Sequence, residues 1–171
     1  MPAVLIKNIQ IVSDGKITAG DVYMNEGRIE KIAPLIDKPV SLEVDGTGKF
    51  LLPGIIDDQV HFREPGLTHK ATIYSESRAA AAGGVTSFME MPNTVPNALT
   101  QELLEDKYRI AERTSLVNYS FFMGVSNTNY DEVMRTPLNT VCGVKIFMGA
   151  STGNMLVDDP SILERIFSAS P

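Results

Sequence analysis

Four candidate β-strands, each followed by a candidate helix, constrain the fold of this chain more than any other feature of its sequence. The strand candidates are apolar, β-branched segments at Ile55–Phe62, Val85–Met91, Val117–Val125 and Val141–Met148. They start at residues 55, 85, 117 and 141, and this spacing leaves room for one crossover helix between successive parallel strands. The pattern therefore predicts βα units joined into one parallel sheet.

Helix signals occupy the segments between and after these strands. Ser75–Ala82 is alanine-rich, Thr100 can cap a helix, and Asp159-Pro160 is typical of a helix start. Asn129 followed by Glu132 resembles a capping box. Four βα units are half of the eight that close a (β/α)8 barrel, so the sequence predicts either a truncated chain or a half-barrel that needs a partner.

The first fifty or so residues carry a different pattern, of short β-branched segments separated by turn signals. Asp14-Gly15 predicts a turn, and Asn25-Glu26-Gly27 reads as a hairpin loop between two strands. We expect a small antiparallel sheet here that serves packing rather than catalysis. The strand and helix alternation begins at Pro53-Gly54.

Charge and composition exclude several functions. The net charge is −6 and Lys and Arg form no runs, so nucleic acid and anionic membranes are not expected partners. The single cysteine, Cys142, excludes an intrachain disulfide and fits a reducing cytoplasm. No apolar stretch approaches the roughly 20 residues that cross a bilayer.

The first strand of the predicted barrel ends in an unusually polar segment, Asp57–Gly66 (DDQVHFREPG). Because side chains two apart on a strand share a face, Gln59, His61 and Arg63 should point together into the barrel mouth, where function sits in this architecture. Imidazole is a common metal ligand, and guanidinium can grip a carboxylate at two points. For His61 taken alone, a packed histidine paired with a neighbouring acid is the alternative.

Two later strands add a polar residue each. Asn93, in Met91–Thr94, offers a donor and an acceptor at the rim, or serves as a turn residue after proline. Lys145 lies inside a strand that should be buried, where a charge is costly. Its amine could react with carbon dioxide to give a carbamate that bridges two metals. Alternatively, it could reach the rim or pair with an acid such as Asp57.

These segments, in this order, resemble the dihydroorotase family of amidohydrolases. The most specific feature is HFREPG at His61–Gly66, followed by MPNT at Met91–Thr94 and by Lys145 with Phe147-Met148-Gly149. The resemblance implies an α/β fold: residues 1–52 as part of a composite β-sandwich and residues 53–171 as the first four βα units of a (β/α)8 barrel.

The resemblance also implies roles for individual residues. His61 and Lys145 would be metal ligands for one or two zinc ions, with Lys145 N-carboxylated as a bridge. Arg63 and Asn93 would bind the carboxylate of the substrate. Gln59 departs from the family pattern, since it stands where the first histidine of an HxH pair is expected. No catalytic residue is expected within this chain, because the proton-shuttling Asp would lie beyond Pro171.

The function implied is reversible, zinc-dependent hydrolysis of (S)-dihydroorotate to N-carbamoyl-L-aspartate in pyrimidine synthesis, by a cytoplasmic enzyme. Two alternatives remain open: a non-catalytic, dihydroorotase-like partner of aspartate transcarbamoylase, which Gln59 motivates, and another cyclic amidohydrolase such as a hydantoinase or allantoinase. Besides the small-molecule substrate, a homodimer or an association with aspartate transcarbamoylase would be the expected partner. As it stands, the 171-residue chain is not expected to form a complete active unit.

Overall fold

The computed structural model describes residues 2–137, 139–151 and 153–169. The chain forms two compact units, Met1–Pro53 and Gly54–Pro171. Within the described residues, no helix combines the length and the apolar character needed to cross a membrane.

The first unit is a five-stranded mixed sheet. Its strands are β1 (Val4–Ser13), β2 (Lys16–Asn25), β3 (Arg28–Ala33), β4 (Leu42–Asp45) and β5 (Phe50–Leu51). The order is β3-β2-β1-β4, and β5 also pairs with β1. β1, β2 and β3 are antiparallel as predicted, but β4 and β5 run parallel to β1, so the expectation of a purely antiparallel sheet is wrong.

Both hairpins of this sheet turn on two residues. Asp14-Gly15 and Glu26-Gly27 all have positive φ, between 50° and 77°, as the tight turn that suits the twist of paired strands requires. A buried carboxylate stabilises the irregular point between Ile6 and Ile9. There, Asp21 accepts hydrogen bonds of 2.9 Å from the amides of Asn8 and Ile36.

The second unit is a parallel sheet with helices between its strands. Its elements are β6 (Ile55–Val60), α1 (Ile73–Ala82), β7 (Val85–Glu90), α2 (Gln101–Thr114), β8 (Asn118–Gly124), α3 (Tyr130–Met134), β9 (Gly143–Lys145) and α4 (Pro160–Ala169). The sheet order β6-β7-β8-β9 follows the chain, and every pair is parallel. The predicted α/β half-barrel is confirmed.

Alternation along the strands builds the core of this unit. Phe121 and Met123 are two residues apart on β8 and both are fully buried, together with Phe88 of β7 and Ile166 of α4. Burying a side chain of this size stabilises a fold by about 1.5–3 kcal/mol. The Phe121 ring meets Phe88 edge-on, with the ring centroids 6.3 Å apart, so β7 and β8 are locked by packing as well as by backbone hydrogen bonds.

The helix starts follow the sequence signals at two of the three places where a cap was predicted. Thr100 caps α2 through a bond from the Leu103 amide, and Asp159 accepts from the Ser161 amide before α4. The capping box predicted at Asn129 is wrong, since no side chain caps α3. Thr72, which was not predicted, caps α1 through a bond from the Ser75 amide.

Asn129 and Glu132, the two residues of that predicted box, bond across the rim of the sheet instead. The Asn129 side chain donates to the carbonyls of Leu99 and Gly124, and Glu132 accepts from the Gln101 amide at 2.8 Å. These bonds tie the loops that follow β7 and β8 to each other.

Candidate functional site

The strand ends bring His61 and Asn93 into direct contact. His61 Nδ1 lies 2.9 Å from Asn93 Oδ1. An amide oxygen can only accept, so Nδ1 carries the proton and Nε2 keeps its lone pair. A ring held through one nitrogen by a polar neighbour is the usual arrangement of a histidine that offers its other nitrogen to a metal.

The surroundings of His61 favour the neutral ring. Partial burial, followed by the positive charge of Arg63, lowers the pKa of His61 below its ordinary value, while the Asn93 hydrogen bond acts in the opposite direction. The charge of Lys145 lowers the same pKa further. Arg63, Asn93 and Lys145 therefore all influence the titration of His61, Asn93 through direct contact and the two cations through their charge.

Lys145, the last residue of β9, is half-buried. Its Nζ lies 5.0 Å from the centre of the Phe147 ring. Asp57, considered above as its partner, instead accepts a hydrogen bond of 3.1 Å from the Gln59 amide. β9 is shorter than predicted because only Gly143–Lys145 pair with the end of β8.

The described residues provide part of a metal site rather than a whole one. Among them, no group of three or more His, Cys, Asp or Glu side chains is placed to hold an ion. The donors that fit are the free Nε2 of His61 and the amine of Lys145. The Gln59 side chain is exposed and offers an amide oxygen, a weaker zinc ligand than imidazole. Further ligands from other parts of a barrel are needed to complete such a site.

The backbone departs from strand geometry just where the candidate residues begin. The pairing of β6 shifts register between Asp57 and Val60, and the strand ends at Val60. Arg63 has φ of +68°, a region that non-glycine residues rarely adopt. The simple alternation that predicted a shared face for Gln59, His61 and Arg63 therefore does not extend past Val60.

Hydrogen bonds and one close approach account for the rest of the REPG sequence. The Glu64 carboxylate accepts from the Ile73 amide at 2.8 Å, which ties the rim to the start of α1. The Val95 amide donates to the Pro65 carbonyl at 3.2 Å. A Cβ on Gly66 would lie 1.9 Å from the Val95 carbonyl oxygen, so only glycine permits this approach of the two rim loops.

A buried ion pair below the rim was not predicted from the sequence. Lys107 Nζ of α2 lies 3.0 Å from Glu90 Oε2 at the end of β7, and both side chains are almost completely buried. A signal was present in the sequence: Lys107 lies three residues after Leu104 and four before Ala111, on the buried face of α2. A lysine on an apolar stripe calls for a buried acid as its partner.

A cavity in the second unit lies away from these residues. It has a volume of about 330 Å³ and lies against α2, lined by residues that include Leu104, Tyr108, Tyr119 and Val141. None of the four predicted site residues lines it, and the candidate site is the open rim at the strand ends.

Comparisons with known proteins agree with the fold described above. A family model described as Dihydro-orotase-like matches residues 48–135, slightly more than half of the chain. An allantoinase from Deinococcus radiodurans is 34% identical over 86% of the chain, and a dihydroorotase from Carboxydothermus hydrogenoformans is 51% identical over 54% of it.

A solved structure has the same architecture as this chain. The L-hydantoinase (dihydropyrimidinase) from Arthrobacter aurescens superposes with a TM-score of 0.90 over 98% of the chain, at 29% identity. The chain spans only 33% of the allantoinase, 22% of the dihydroorotase and 38% of the hydantoinase.

Proposed function

Because this chain belongs to the dihydro-orotase-like family, we propose that it supplies one side of the active site of a dihydroorotase. The reaction is the reversible hydrolysis of the ring amide of (S)-dihydroorotate to N-carbamoyl-L-aspartate. The observation that carries the proposal is the adjacency of a cationic side chain, Arg63, to a neutral imidazole whose Nε2 is free, His61.

Each of the four candidate residues has a role that its surroundings support. Arg63 binds the substrate carboxylate, since guanidinium pairs with that group through two parallel hydrogen bonds. Asn93 holds His61 in one tautomer and orients the ring. The contact with His61 uses only the amide oxygen of Asn93, so the amide nitrogen can donate to the substrate.

We further propose that His61 and Lys145 are ligands of one or two zinc ions, together with groups from other strands. When bound, zinc lowers the pKa of a water molecule and polarises the amide carbonyl. Lys145 is half-buried at the end of β9, and a carboxylated Lys145 would offer two oxygen donors in place of one nitrogen.

Substrate choice within the family is the finer part of the proposal. Dihydroorotate carries a carboxylate that allantoin and hydantoin lack, and the guanidinium of Arg63, two residues after His61, is suited to bind one. The 51% identity with a dihydroorotase over 54% of the chain supports the same choice. The likeness to an allantoinase and an L-hydantoinase favours the other cyclic amides as the second candidate.

A substrate panel on the full-length protein tests this choice. Dihydroorotate, dihydrouracil, hydantoin and allantoin are compared at equal concentration, before and after removal of metal by a chelator. We expect turnover of dihydroorotate alone, loss of activity with the chelator and recovery with added zinc. Preferred turnover of a ring without a carboxylate would contradict the assignment, and activity that survives complete metal removal would contradict the zinc mechanism.

Gln59 leaves a non-catalytic scaffold as the remaining alternative. An amide at this position weakens one metal site, and a protein that only supports a partner such as aspartate transcarbamoylase would tolerate the change. Zinc content measured on the full-length protein separates the two possibilities. Bound zinc together with turnover supports the enzyme, whereas neither would be found in a scaffold.

A further inference from the structure

Glu90 and Lys107 form a buried ion pair that the proposed chemistry does not use. Glu90 is 0% and Lys107 1% exposed, and Nζ lies 3.0 Å from Oε2. The ammonium also donates to the Met91 carbonyl at 3.0 Å and lies 5.0 Å from the centre of the Phe121 ring. Taking two charges out of water is costly, and apolar residues of similar size often do as well for stability. The contacts of the pair therefore indicate a role beyond stability.

The second oxygen of Glu90 holds the chain where it leaves the sheet. Oε1 accepts a hydrogen bond of 3.1 Å from the amide of Phe62, the residue directly before Arg63. This amide lies beyond Val60, the last residue of β6, so it has no strand partner there. Buried amides need an acceptor, and Glu90 supplies it.

This bond acts on the backbone next to Arg63, the residue that is proposed to bind substrate. Arg63 has φ of +68°, which side-chain-bearing residues adopt only when their surroundings impose it. The Glu90 bond holds the Phe62 amide on the N-terminal side of Arg63, and the Leu67 amide donates to the Arg63 carbonyl at 3.0 Å. The backbone conformation sets the direction from which the guanidinium leaves the chain.

We propose that Glu90, held in place by Lys107, is a positioning residue that fixes the Phe62–Arg63 backbone and thereby aims the Arg63 guanidinium at the substrate carboxylate. The inference rests on the proposed function for the identity of the substrate. Its structural half, the hydrogen bond from the Phe62 amide to the Glu90 carboxylate, does not depend on the substrate.

Two double variants of the full-length protein separate hydrogen-bond acceptance from charge. Glu90→Leu/Lys107→Met removes both charges and the acceptor. Glu90→Gln/Lys107→Met removes the same charges but keeps a side-chain oxygen for the Phe62 amide. Ser77→Ala is the control for a general loss of stability, since Ser77 is fully buried and its hydroxyl accepts from the Leu116 amide, on a different loop.

The readout is affinity for ligands with and without a carboxylate. For the Leu/Met variant we expect KM for dihydroorotate to rise about tenfold or more, as small misplacements of binding groups can cause. Binding of dihydrouracil, the same ring without the carboxylate, should change by less than about twofold, because Arg63 does not contact it. The Gln/Met variant and Ser77→Ala should stay near wild type for both ligands.

Other outcomes overturn the inference. Equal weakening for both ligands in the Leu/Met variant would show a structural role only. Unchanged KM there, or equal effects in the two double variants, would show that the acceptor on Glu90 does not position Arg63.

Amide hydrogen exchange tests the inference even if a variant does not fold. In the unmodified full-length protein, the Phe62 amide should exchange as slowly as amides of the β7–β8 ladder. Rapid exchange of this amide would refute the hydrogen bond to Glu90. If the full-length protein does not turn over dihydroorotate, the proposed function fails, and slow exchange at Phe62 would still support the structural half of the inference.

Discussion

Replacing Gly66 by alanine gives a sharp test of how the rim is assembled. Gly66 has φ of +82°, and a Cβ there would lie 1.9 Å from the Val95 carbonyl oxygen and 2.6 Å from the Val95 Cβ. The left-handed conformation alone costs an alanine about 1–2 kcal/mol. The overlap adds to this cost, because backbone must move by an ångström or more to relieve a contact this short. We expect a total loss of about 2–4 kcal/mol, at the upper end of single-site effects.

Gly84→Ala is the matched control for this prediction. Gly84 has φ of +84°, nearly the same as Gly66, but a Cβ there would meet no atom within 4 Å. It should therefore incur only the conformational cost of about 1–2 kcal/mol. The difference between the two variants isolates the contact between the rim loops.

Thermal unfolding and steady-state kinetics of the full-length protein provide the assays. The melting temperature should fall at least twice as far for Gly66→Ala as for Gly84→Ala. The displaced loop carries Asn93 two residues before Val95, so Gly66→Ala should also raise KM, whereas Gly84→Ala should not. Equal losses of stability in the two variants, or an unchanged KM in Gly66→Ala, would refute the reasoning.

Three further perturbations follow from the site. Arg63→Ala should raise KM for dihydroorotate by about 10-fold to 100-fold with a smaller effect on kcat, because a charged hydrogen-bonded pair is lost; unchanged kinetics would remove Arg63 from the site. In metal-free protein, NMR titration should show that Asn93→Ala lowers the pKa of His61 further, because the Asn93 bond raises it. Because the pKa of His61 is lower in the folded protein than in an unfolded chain, the contribution of His61 to stability should decline as the pH falls below about 6.5. A His61 pKa that rises in the Asn93→Ala variant would contradict the assigned contact. Lys107→Met alone leaves Glu90 buried without its partner and should destabilise the protein by about 3–5 kcal/mol in urea unfolding, whereas Glu90→Gln/Lys107→Met should lose much less; similar losses would show that the pairing itself is unimportant.

The parallel half of the fold could be predicted because local patterns and long-range contacts agree there. Phe121 and Met123 alternate on β8 as buried strand residues should, and Thr100 and Asp159 cap helices as their types favour. The first unit was harder to predict. β4 and β5 join β1 in parallel, and nothing in a short β-branched segment indicates which partner it will meet or in which direction.

Contacts between residues far apart in the sequence limited how much of the candidate site could be predicted. The contact of His61 with Asn93 could be expected once both were placed at strand ends, since the ends of parallel strands share one edge of a sheet. The grip of Glu90 on Phe62 crosses 28 residues, and its partner Lys107 lies on a helix. Periodicity within one segment does not reveal contacts among three separate segments, although a lysine on the buried face of α2 indicates that it needs a partner.

The buried pair also restricts how this sequence can change over generations. Losing either charge alone leaves the other stranded at a cost of about 3–5 kcal/mol, a large share of the 5–15 kcal/mol by which most domains are stable. A lineage that passes through either single change would therefore carry a poorly folded intermediate. Positions 90 and 107 should accordingly change together, and a lineage that loses both charges must find another acceptor for the Phe62 amide.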